Sequence, residues 1–140
     1  MVIRTAFFLL LVSLVLNSPA SAEPDMQEGN WEMTIKTDMP GMPMAMPATK
    51  HTVCITQKDL VPQKPEQNQD CKMINQKISG NTVTWTMKCK MDKTVIESDG
   101  RITYKKDKFD GIINMTMNDP DSGKMKMTQN MSGKRIGDCK

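Results

Sequence analysis

The residues best equipped for chemistry carry sulfur. Cysteine occurs four times, at Cys54, Cys71, Cys89 and Cys139, methionine fifteen times, and histidine once, at His51. Thioether sulfur is a soft ligand, suited to Cu(I) and poorly matched to Mg²⁺ or Ca²⁺. Met39, Met42, Met44 and Met46 fall within eight residues, and His51 follows closely enough to add a ring nitrogen. A flexible M-x-M-x-M run of this kind could wrap several sulfurs around one Cu(I) or Ag(I) ion. The same stretch has a plainer reading. Pro40, Gly41, Pro43 and Pro47 bracket the methionines, which gives a proline-stiffened apolar loop suited to contact with a partner. That interaction loop is the leading expectation here, with copper as the alternative and otherwise no cofactor.

An even number of cysteines points to two disulfides rather than a reactive thiol. No two of them form the C-x2-C or C-x4-C pair that zinc sites use. Ser79-Gly80-Asn81 is a good hairpin turn, because Gly and Asn tolerate positive φ. Cys71 and Cys89 lie nine residues to either side of Gly80. A hairpin centred there sets them directly opposite, with Cβ atoms roughly 4.5–5.5 Å apart, close enough to bridge with small adjustment. Cys54 and Cys139 then pair by elimination.

Catalysis finds little support. One histidine, no free thiol and no G-x-S-x-G sequence leave no nucleophile–base pair in view, so the chain is expected not to be an enzyme. Nucleic acid is disfavoured too. Beyond residue 22 there are 18 basic and 16 acidic residues, interspersed, without the basic face and aromatics that such binding needs.

The elements that would position these residues follow a leader. Arg4 precedes an apolar run of eleven residues, Ala6 to Leu16, and Ala20-Ser21-Ala22 fits the small-x-small cleavage pattern. The run is shorter than the roughly 20 residues of a membrane span. Residues 1–22 therefore read as a cleaved signal peptide with no membrane anchor left, and 23–140 as one domain of 118 residues (140 − 22). Fourteen of its residues are methionine, as many as its Val, Ile and Leu together, which implies an adaptable core. Trp31 to Lys36 alternates apolar and polar, the period of a half-buried strand. His51–Thr56 reads as a second strand, and Cys71–Cys89 as a hairpin. Thr94–Tyr104 reads as a strand bent at Asp99-Gly100, and Phe109–Asn118 and Lys124–Met131 as two more, before Ser132-Gly133 breaks the last stretch. A turn centred on Asp121 places Met115 opposite Met127 and Met117 opposite Met125, a core face of methionine. The fold class is all-β: an antiparallel meander of about seven strands forming a curved sheet or small open barrel.

Several stretches together carry a resemblance. They are Gly29-x-Trp31-Glu32, the Met-Pro-Gly-Met-Pro loop at 39–43, Thr52-Val53-Cys54-Ile55, Gln69-Asp70-Cys71 and Ser79-Gly80-Asn81 before Cys89. The terminal Met131-Ser132-Gly133-Lys134-Arg135-Ile136-Gly137-Asp138-Cys139 completes the set. The chain resembles a bacterial family known as domain of unknown function 3617, across residues 27–140. The resemblance implies an exported, envelope-directed protein with the periplasm as its address. It carries over no activity and no functional residue beyond four structural cysteines. The expectation is thus a non-enzymatic periplasmic module with an unknown protein or small-molecule partner.

Overall fold

Alternation along the strands decides which side chains are buried. The computed structural model describes residues 23–41, 46–62 and 69–140; the residues read as a signal peptide lie outside these. Seven strands form one sheet: β1 Gly29–Asp38, β2 Thr49–Ile55, β3 Asp70–Ser79, β4 Thr82–Met91, β5 Thr94–Lys105, β6 Lys108–Asp119 and β7 Gly123–Gly137. Every pairing is antiparallel, in the order β2-β1-β7-β6-β5-β4-β3. β3 to β7 are a meander, and the β1–β2 hairpin docks on its far side through β7. On β4, Val83, Trp85, Met87 and Cys89 point inward while the threonines and lysines between them point out. The described residues contain no helix, and so none long and apolar enough to cross a membrane.

The buried apolar residues of the strands share one face, and that face is concave. Trp31 on β1 meets Phe109 on β6 and Tyr104 on β5, with ring centroids 5.5 and 6.1 Å away. β1 and β5 are three strand steps apart, roughly 14 Å in a flat sheet. Two glycines make room for large rings on this face. Trp85 faces Gly100 across β4–β5, and Phe109 faces Gly133 across β6–β7. A methyl group on either glycine would fall 2.1 Å from the opposing ring. This corrects the expectation that Gly100 bends β5 and Gly133 breaks the last strand. Both strands run on continuously, and the glycines are seats for aromatic rings.

Both disulfides join the expected cysteines, Cys54 to Cys139 and Cys71 to Cys89. The register around the second differs in detail. Gly80 and Asn81 form a two-residue turn, with Gly80 at φ 55° and Ser79 opposite Thr82, so the hairpin is not centred on Gly80. A bulge at Ile74 takes up one residue and restores the pairing of Cys71 with Cys89. The methionine register is as expected, Met115 opposite Met127 and Met117 opposite Met125. Its burial is not. Met117 and Met127 are half-buried and Met125 is 45% exposed, so this end of the face is uncovered rather than core.

The chain ends and turns close the other end. Pro24 and Met26 are buried against the sheet. Hydrogen bonds from Lys106 N to Asp25 O and from Gln27 N to Lys106 O hold them there. At the opposite end, beyond Met117 and Met125, the β6–β7 turn is fixed by Asp119, which accepts hydrogen bonds from the Thr94 hydroxyl, from Ser122 N and Oγ, and from Asp121 N. These hold its carboxyl well below the usual carboxylate range, Thr94 contributing most. The segment after β2 folds over the aromatic cluster. There the Tyr104 hydroxyl donates to the Leu60 carbonyl at 2.7 Å. Burial, aided by the Asp59 carboxylate, pushes the phenol far above its ordinary value.

Two outcomes follow. Gly133→Ala should lower unfolding free energy by about 1–3 kcal/mol, since overpacking forces backbone and ring apart. Gly137→Ala, whose added methyl would meet nothing within 4 Å, should change it by less than about 0.5 kcal/mol; denaturant titration measures both. Tyr104 is the only tyrosine, so absorbance reports one phenol. With its folded pKa raised, its stabilisation is complete below about pH 10, where an unfolded phenol ionises, and is lost as pH rises further. Ionisation should therefore coincide with alkaline unfolding rather than precede it.

Candidate functional site

The concave face is filled at one end and open at the other. At the filled end, Trp31, Tyr104 and Phe109 pack with Ile55, Leu60 and Val61. The covering segment is tied down at several points: Gln57 N donates to Glu28 Oε1, Gln57 Nε2 to Pro24 O, and the Tyr104 hydroxyl to Leu60 O. Pro62, the last described residue of this segment before Gln69, forms a wall. Beyond it lies a cavity of about 470 Å³.

Strand register explains what lines the cavity. On β1, Met33 and Ile35 continue the face begun by Trp31, and they sit opposite His51 and Thr49 of β2. On the other side, Ile35 faces Met131 and Thr37 faces Gln129 of β7. Ile113 and Met115 of β6 complete the opposite flank. The floor is apolar and buried: Met33 is 7%, Ile113 2% and Met131 5% exposed. The rim is polar, formed by Thr37, Thr49, His51, Gln69 and Gln129. Gln129 Nε2 lies 3.5 Å from Thr37 Oγ1, a weak bond across the rim. Lys36, Lys50 and Glu32 occupy the alternate positions of β1 and β2 and face away; Lys50 and Glu32 pair there at 3.1 Å. A half-open apolar cavity with a few convergent polar groups is the form small-molecule sites take.

The expected metal ligands are only partly placed. Met39 is half-buried just beyond β1, and Met46 is 42% exposed ahead of β2. Met42, Pro43 and Met44 lie outside the described residues. Pro40, Gly41 and Pro47 are exposed. The two described ends of the Met-Pro segment therefore spring from the rim strands, next to Thr37 and Thr49. His51 is exposed and faces Met33 across β1–β2, and Met115 and Met131 line the same cavity. Among the described residues no three His, Cys, Asp or Glu side chains are grouped to hold a metal. Met33 was within reach of sequence reasoning, two residues from Trp31 on an alternating strand. Met131 was not, because its place depends on β7 pairing with β1.

No curated protein and no solved structure matches the chain. A family model, described as a protein of unknown function (DUF3617), matches residues 26–139. That span holds both disulfides, all seven strands and every residue that lines the cavity, and the chain belongs to this family.

Proposed function

We propose that the protein is a non-enzymatic binding module of the periplasm and that the cavity between β1, β2, β6 and β7 is its ligand seat. One observation carries this reading: a cavity of about 470 Å³ with a buried methionine–isoleucine floor and a polar rim that holds no lysine, arginine or carboxylate among the described residues. Its size lies within the range of sites for drug-sized molecules. Among the described residues, His51 is the only titratable side chain lining it, which favours holding a ligand over transforming one. Two disulfides suit an oxidising compartment, and the leader-like residues 1–22 suit export. The Met-Pro segment, rooted at the rim on both sides, is the natural place for a partner or the ligand itself to make contact.

The test uses neutral phenylnaphthylamine, which fluoresces on entering an apolar site. It should bind at one saturable site, and Met115→Glu should weaken binding at least tenfold, a cost of about 1.4 kcal/mol. Ile136→Glu, at a residue 57% exposed and outside the cavity, should leave binding unchanged. Equal loss in both variants, or in neither, would remove the cavity as the seat.

A second reading keeps the same place but a different ligand. His51 faces Met33 across β1–β2, and Met115 and Met131 line the same cavity, a donor set of one imidazole and three thioethers suited to Cu(I). A Cu(I) competition titration of the oxidised protein should then show stoichiometric binding that is lost in Met33→Leu/His51→Ala and kept in Met46→Leu. Binding that follows Met46 instead would return the metal to the loop.

A further inference from the structure

We infer that the cavity selects an uncharged molecule, with a single apolar chain or ring body and one neutral hydrogen-bonding end, and turns anions away. The inference rests on the ligand-seat reading above and names the class of ligand. Its basis is the charge distribution around the lining. Among the described residues, no lysine, arginine, aspartate or glutamate lines the cavity. Strand alternation explains this: the residues between the lining positions, Lys36 and Lys50 among them, project to the outer face. Arg135 shares the inner face but sits opposite Trp31 at the filled end. There its Nε donates to Glu28 O, and its guanidinium pairs with Asp138.

An anion entering such a site would leave water without meeting a lysine or arginine among the described lining residues. Burial of an unpaired ion costs several kcal/mol even after relaxation, more than a modest apolar body recovers at about 25 cal/mol per Å². A neutral head group avoids that cost. Hydroxyl, amide or ester groups would find partners among Thr37, Thr49, His51 and Gln129 at the rim, while the apolar body rests on Met33, Ile113 and Met131. The preference is not a default of the protein as a whole. Beyond residue 22 its basic residues exceed its acidic ones by two (18 − 16), which draws anions to the surface at large. A two-chain phospholipid fits poorly on both counts, being larger than the cavity and charged at the head.

Two probes with the same fused-ring body separate the possibilities: uncharged phenylnaphthylamine and anionic anilinonaphthalenesulfonate. On the oxidised protein the neutral probe should bind at least tenfold more tightly, counting for each probe only the binding that Met115→Glu abolishes. Thr49→Lys, at an exposed rim position, should raise sulfonate affinity roughly tenfold by supplying the missing cation. Sulfonate binding that equals the neutral probe at the Met115-sensitive site would overturn the charge selection and leave the seat standing. Failure of both probes to bind there would overturn the seat itself, and the selection with it.

Discussion

A single antiparallel sheet has one apolar face and no second layer to cover it. Everything else in this molecule answers that constraint. The face must curl until its own side chains meet, and three aromatic rings from β1, β5 and β6 are what meet first. Two large rings on this face are seated over residues with no side chain, Trp85 over Gly100 and Phe109 over Gly133. The chain then spends its N-terminal residues and the segment after β2 on covering the aromatic end. These elements reach Pro62 and no further among the described residues. The methionine end stays open because no described segment covers it.

Edges are the second weakness of a lone sheet, since each edge strand has one neighbour and a row of unpaired backbone groups. Here both edges are covalently held. Cys54–Cys139 ties β2 to the end of the chain, and Cys71–Cys89 clips β3 to β4. With sequence separations of 85 and 18, the loop-entropy model gives them roughly 4–5 and 3 kcal/mol. β3 is guarded further by its bulge and its lysines, Lys72 and Lys77. The first disulfide also bears on the cavity. β2 supplies Thr49, His51 and Val53 to one wall, and it pairs with β1 alone.

Much of the fold was legible in the chain itself. Seven strands, the two disulfides and the β6–β7 methionine register all follow from alternation and turn chemistry over short spans. Three features did not. Gly100 and Gly133 look like breaks because a glycine under a ring resembles a bend until the opposing residue is known. The β3–β4 hairpin hides a compensating error: a turn that is one residue off and a bulge that restores it give the same cysteine pair. The cavity was the least legible. It needs β1 beside β7, as in the Gln129–Thr37 contact 92 residues apart, and no local pattern announces that pairing. The loop methionines drew attention by their density, whereas the methionines that share a surface, Met33, Met115 and Met131, are scattered along the chain.

On the proposed reading, the open half of the concave face receives a ligand. Methyl-labelled methionine gives the most direct view, because each thioether methyl is a separate NMR probe and these side chains are distributed over the whole sheet. Saturating the oxidised protein with an uncharged monoacylglycerol should move the methyl signals of Met33, Met115 and Met131. Those of Met73 and Met91, at the far edge of the sheet, should stay in place. Shifts concentrated at Met73 and Met91, or none at any methionine, would contradict the account.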